Sequence, residues 1–197
     1  MDSAGEVVDG DELIALAALH LREKGALPGN GVAVTVMTNY GFHQAMSEKG
    51  IEVAVTSVGD RYVLQELLQR GWALGGEQSG HIIDTGFVPS GDGIAAALLA
   101  LEALGGRGAG LAERGAMRKL PQKLVNVRVA DREAVKDATA VWDAVEAESR
   151  ALDGRGRVLI RPSGTEPLVR VMVEAPDAAE CDEVCGRLVA TVERELG

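Results

Sequence analysis

Apolar and polar positions follow two rhythms along this chain. In its first half, short apolar runs with strand character alternate with stretches of helical spacing. Residues 13–23 repeat apolar side chains at the spacing of one helical face, and Asp9 with Glu12 three residues on forms a capping-box pattern before them. A turn over 25–30 leads to a buried strand over 32–37. A helix over 40–49 follows and is closed by Gly50. A strand over 51–58, a helix to about Arg70 stopped by Gly71, and an extended run from Trp72 come next. Ile82-Ile83 reads as a short strand, and Ser90 or Asp92 as the cap of a helix over 94–104. Val7-Val8 reads as the end of a strand. Strands alternating with helices at this spacing predict an α/β layer with a mixed, largely parallel sheet.

The rhythm changes after Gly105-Gly106-Arg107-Gly108-Ala109-Gly110, a glycine-rich stretch that reads as a flexible turn. A short helix is expected over 111–117. Beyond it the pattern is strand (123–129), helix (132–150), strand (157–160), loop, strand (168–173) and helix (177–196). The two strands around the loop pair most simply as an antiparallel hairpin. This predicts an α+β unit, an antiparallel sheet covered by two helices. The expected domains are 1–117 and 118–197.

Composition narrows the picture. Hydrophobic residues make up 46% of the 197, enough for a real core. Aromatics are only 3%, so Ala, Val, Leu and Ile must fill it. A formal charge of −10 argues against a nucleic-acid surface or an anionic membrane as partner. The first residues are polar and acidic, with no basic flank before an apolar run, and no helical stretch is apolar enough to span a bilayer. The expectation is a soluble cytoplasmic protein. Cys181 and Cys185 sit one turn apart in the last predicted helix, with no histidine near in sequence, and read as small buried hydrophobes rather than zinc ligands. His20 and His43 read as surface residues of their helices. Asp9-Gly10-Asp11 resembles a piece of a metal loop, but no further ligand follows, and the cap reading is preferred.

Two stretches break the periodic pattern. Gly75-Gly76-Glu77-Gln78-Ser79-Gly80-His81 should interrupt regular structure and present Glu77, Ser79 and His81 from a glycine-rich backbone. A carboxylate accepts from neighbouring sugar hydroxyls, a serine donates or accepts, and a histidine moves protons near neutral pH. A water-facing loop is the plain alternative. Arg161-Pro162-Ser163-Gly164-Thr165-Glu166-Pro167 combines a planar cation, two hydroxyls and a glycine that lets backbone N–H groups converge, a set suited to an oxyanion such as phosphate. Its residues equally suit a bare hairpin turn.

The order and separation of these two motifs resemble the last two domains of the α-D-phosphohexomutases. Val58-Gly59-Asp60-Arg61-Tyr62-Val63 and Ser90-Gly91-Asp92-Gly93-Ile94 resemble the branch of that family acting on glucosamine phosphate. The resemblance implies an isomerase that moves phosphate between the 1 and 6 positions of a hexose phosphate through a phosphoserine and a bisphosphate. For this branch it implies conversion of glucosamine 6-phosphate into glucosamine 1-phosphate. By position, Glu77 and Ser79 correspond to readers of the sugar hydroxyls and His81 to an acid/base histidine. Arg161, Ser163, Gly164 and Thr165, with Arg170 assisting, correspond to the clamp on the non-reacting phosphate. Asp60 and Arg61 are typical of the branch and receive no role. The family's phosphoserine lies in a Ser-His-Asn loop, and its magnesium loop carries three alternating aspartates; neither pattern occurs here. The resemblance therefore implies a chain starting at the third domain, inactive alone, with no metal ligand of its own and the N-terminal domains of the same enzyme as its partner. A stand-alone sugar-phosphate-binding module, or part of a phosphomannomutase or phosphoglucomutase, are the alternatives.

Overall fold

An apolar run without alternation is satisfied by a strand covered on both faces, and all five residues of β1 (Gly31–Thr35) are buried. The computed structural model describes residues 1–105, 110–113 and 115–197. The chain divides into two compact units, Met1–Lys119 and Leu120–Gly197.

In the first unit β1 is central. It pairs in parallel with β2 (Glu52–Thr56) and with β3 (Leu74–Gly76), while β4 (Ile82–Asp84) runs antiparallel to β3, giving the order β2-β1-β3-β4. Alternate residues of β1 serve different cores. Val32 and Val34 join a cluster with Ile14 and Leu16 of α1 (Gly10–Glu23), Phe42 and Met46 of α2 (Tyr40–Glu48), and Leu99 of α4 (Gly93–Gly105). Ala33 faces a second cluster with Val63 and Leu67 of α3 (Asp60–Arg70) and Trp72. Helices thus lie on both faces of a mixed, mostly parallel sheet, as the alternation predicts.

The second unit is an antiparallel sheet, β5 (Gln122–Arg128), β7 (Leu168–Glu174) and β6 (Arg157–Pro162) in that order. The valines at 169, 171 and 173 of β7 alternate onto one face. There they meet Val141 and Leu152 of α5 (Thr139–Leu152) and Val184, Leu188 and Val192 of α6 (Ala178–Leu196). Cys181 and Cys185 are free and buried in this core, in line with the apolar-stripe reading.

Several local expectations change. Val7 and Val8 lie outside any strand. His20 is buried rather than on the surface, because α1 packs against α4, and its Nε2 lies 3.7 Å from Glu102. The helix expected over 132–150 is two pieces, a 3-10 segment at Glu133–Asp137 and α5, separated at Ala138 (φ −77°, ψ 80°). The Trp142 indole N–H donates to the Val135 carbonyl at 2.8 Å and holds that break. Of the short helix expected at 111–117, the described residues are helical at Leu111–Glu113, as a 3-10 turn, and not at 115–117. The flexible turn read at 105–110 falls mostly on residues 106–109, outside the described residues.

Gly75 and Gly76 do not interrupt regular structure; they lie within β3. A Cβ on Gly75 would sit 2.4 Å from the Ala33 carbonyl oxygen and 2.7 Å from Val63 Cγ1. Gly75 therefore lets β3 pack tightly beside β1 and beneath α3, while a Cβ on Gly76 would lie 2.5 Å from the His81 carbonyl oxygen on its other side. Gly75→Ala should lower stability in urea unfolding by about 1–3 kcal/mol through overpacking. Gly186→Ala, inside α6 with open space around it, should raise stability by about 0.5–1 kcal/mol.

Candidate functional site

Two loops carry the candidate chemistry, one in each unit. The first joins β3 to β4. Its bend is closed by the Glu77 N–H donating to the His81 carbonyl at 3.0 Å and the Gly80 N–H donating to the Glu77 carbonyl at 2.9 Å. Gly80 has φ +98°, a conformation that suits glycine.

This loop rests on the start of α1. The capping box expected from Asp9 and Glu12 is present in both directions. The Gly10 N–H donates to the Gln78 carbonyl at 2.9 Å, and a Cβ on Gly10 would lie 2.1 Å from the Glu77 carbonyl oxygen. The Gln78 amide reaches Asp9 Oδ2 at 3.4 Å, and Lys119 forms an ion pair with the same oxygen. The Asp9 cap thus also helps anchor the loop.

The backbone at Gly59 donates to Glu77 Oε1 at 3.0 Å, while Oε2 has no hydrogen-bond partner among the described residues. Ser79 Oγ and His81 Nδ1 lie 3.0 Å apart, and both side chains are exposed. The three candidate groups therefore share one short bend, with one carboxylate oxygen, a hydroxyl and an imidazole available.

Sequence reasoning weighed Asp11 only as part of a metal-loop fragment and gave it no role. Its side chain is completely buried, and Oδ2 accepts the Asn39 N–H at 2.8 Å. Asn39 Oδ1 in turn accepts the Gly41 N–H at 3.0 Å and caps α2. Burial pushes the Asp11 carboxyl up to about 6; the Asn39 amide opposes this, nearby Asp9 adds to it, and Lys119 opposes it weakly. The Asp-Gly-Asp stretch was visible in the sequence, but its partner lies 28 residues away.

The second loop joins β6 to β7. Arg161 belongs to β6 rather than to the loop, and its register partner on β7 is Arg170, which also faces Asn126 on β5. Side chains directly opposite each other project from the same face of a sheet, so two guanidiniums share one patch. Like charges in this relation are unfavourable. Burial and then the charge of Arg170 lower the pKa of Arg161 from its ordinary value. Arg170 Nε is buried with no hydrogen-bond partner among the described residues. An anion placed here would relieve the repulsion and take up that donor.

Ser163 is buried. Its N–H donates to the Leu168 carbonyl at 2.8 Å, and its Oγ accepts the Glu166 N–H at 3.4 Å. Its hydroxyl proton remains to be donated. Gly164 and Thr165 are exposed, and their amides have no acceptor among the described residues. Gly164 lacks the positive φ that would demand glycine, and a Cβ there would meet nothing within 4 Å. It is not needed to turn the chain, contrary to the expectation, but it leaves the approach to these amides open.

Residues 9–121 match the family described as "Phosphoglucomutase/phosphomannomutase, alpha/beta/alpha domain III", and residues 124–191 match its "C-terminal domain". This chain belongs to the phosphoglucomutase/phosphomannomutase family. It is 50% identical over 189 residues to the phosphoglucosamine mutase of Moorella thermoacetica, covering 95% of this chain and 43% of that protein. To the phosphoglucosamine mutase of Parafrankia sp. it is 50% identical over 197 residues, covering 100% and 42%. The chain thus spans less than half the length of these curated relatives.

Solved members share the fold. The N-acetylphosphoglucosamine mutase of Aspergillus fumigatus, in complex with GlcNAc-6P and magnesium, aligns at a TM-score of 0.79 with 21% identity, covering 98% of this chain and 45% of that one. An N-acetylglucosamine-phosphate mutase in its product complex aligns at 0.79 with 23% identity, covering 93% and 44%. Among the described residues no group of three or more His, Cys, Asp or Glu is arranged to hold a metal ion.

Two measurements probe these loops. Arg161→Gln removes one of the two in-register cations that a phosphate added during unfolding measurements would meet. The stabilisation that added phosphate gives the wild type should shrink. Asp11 has a folded pKa near 6 against an ordinary 3.8. The native chain therefore holds the extra proton between these values, and the stability it contributes is full below about pH 4 and is lost as pH rises through 6. The span is of order 3 kcal/mol. Asp11→Asn should flatten that decline in unfolding curves taken from pH 4 to 7.

Proposed function

We propose that this chain is the sugar- and phosphate-recognising part of a phosphoglucosamine mutase, an isomerase interconverting glucosamine 6-phosphate and glucosamine 1-phosphate. The observation that carries the phosphate reading is the in-register pair Arg161 and Arg170, at the foot of a loop whose Gly164 and Thr165 amides have no acceptor among the described residues. The choice of glucosamine rests on the relatives near 50% identity that carry that name.

In this reading residues 1–117 form the third domain and 118–197 the fourth. The pair of guanidiniums, the Gly164 and Thr165 amides and the Ser163 hydroxyl hold the phosphate that does not react. Such donors bind the group without regard to the sugar carbon that bears it. That suits a reaction in which the sugar must present either end. Glu77 and Ser79 accept from and donate to the sugar hydroxyls, and His81, held beside Ser79, serves as the acid/base group. The phosphoserine and the magnesium ligands belong to N-terminal domains of the same enzyme. When bound there, magnesium would neutralise charge on the phosphate being transferred. The hexosamine phosphate and those domains are the partners. No helix among the described residues is long and apolar enough to cross a membrane, which suits a cytoplasmic enzyme.

The purified chain, given glucosamine 6-phosphate and a hexose bisphosphate primer, should show no turnover; a rate like that of an intact mutase would overturn the reading. In the whole enzyme Arg170→Gln should reduce kcat/KM roughly 10- to 100-fold, the worth of one hydrogen bond to a charged group. Stronger competition by mannose 6-phosphate or glucose 6-phosphate than by glucosamine 6-phosphate would move the assignment to another branch.

A further inference from the structure

The turn between β2 and α3 takes no part in the reading above, yet it reaches the sugar loop. Gly59 is the N-cap residue of α3, at φ 129° and ψ 127°, and has no side chain with which to cap the helix. Its N–H donates to Glu77 Oε1, a carboxylate from another connection 18 residues away. L-residues avoid that φ, and a Cβ there would also press against Tyr62 Cδ2 at 3.3 Å. The amide can be presented this way only because residue 59 is glycine.

We propose that Gly59 is a positioning residue for sugar recognition: its backbone amide fixes the Glu77 carboxylate in one orientation and leaves Oε2 to the sugar. This rests on the reading of Glu77 as a sugar-hydroxyl acceptor. A glutamate on an open bend samples many rotamers, and ordering it costs free energy each time a ligand binds. A charge-assisted bond from Gly59 supplies that order before the sugar arrives. It also couples the two ends of the carboxylate. When a hydroxyl donates to Oε2, charge is drawn from Oε1 and the bond to the Gly59 amide weakens. The segment Val58-Gly59-Asp60-Arg61 thereby acts in recognition through Glu77, without touching the ligand.

The amide itself gives the signature. In nitrogen–proton correlation spectra of the 197-residue chain, the Gly59 resonance should move with added glucosamine 6-phosphate and stay still with inorganic phosphate. In Glu77→Gln that response should be lost. Gly59→Ala should bind glucosamine 6-phosphate roughly 10- to 100-fold more weakly, with inorganic phosphate binding unchanged. If Gly164 and Thr165 respond to the sugar phosphate while Gly59 stays silent, Glu77 is only a helix cap; the inference falls and the proposed function stands. If no resonance responds to either ligand, the proposed binding role falls and takes the inference with it. The wild-type spectrum decides between these outcomes even if Gly59→Ala fails to fold.

Discussion

The first unit depends on backbone approaching backbone where no side chain intervenes. β3 lies beside β1 with Gly75 against the Ala33 carbonyl, and α1 begins with Gly10 against the Glu77 carbonyl. These contacts bracket the bend that carries Glu77, Ser79 and His81. A strand on one side and a helix start on the other hold the loop at both ends. In the proposed role of this loop its side chains must be placed before the sugar arrives, and the strand, the helix cap and the Gly59 amide bear on that placement rather than the loop's own composition.

The second unit solves a different problem. Its sheet sets two arginines directly opposite each other and leaves a buried guanidinium nitrogen without a hydrogen-bond partner among the described residues. For stability alone this is a poor arrangement, since like charges across a strand pair repel. In the proposed function a phosphate between them would make it favourable. Local conflict of this kind gathers at functional positions, where the rest of the fold tolerates it. The other face of the same sheet, with Val169, Val171 and Val173 packed on two helices, supplies that tolerance.

Much of this was legible in the residue pattern. The uniformly apolar 32–34 run required burial on both sides, and Asp9 with Glu12 and Gly71 marked helix ends that the structure retains. The misreadings share a cause. Glycines at 75 and 76 looked like breaks because their local propensity is against strands, but a neighbouring backbone demanded them. Helix periodicity ran unbroken across Ala138, but the Trp142 indole engaged the Val135 carbonyl and the chain bent there. In each case a tertiary contact overrode a local preference.

The sequence by itself determined the two layered units, the alternating and antiparallel order of their strands, and the residue types gathered in the two loops. Those follow from period and from short-range chemistry, which a linear string carries. Only the tertiary structure decided that Arg161 stands in a strand opposite Arg170, that Asp11 is buried against Asn39, and that Gly59 grips Glu77. Register, burial and the reach of one loop to another depend on separations of 9, 28 and 18 residues closed by folding. No local pattern encodes which of many possible partners will meet.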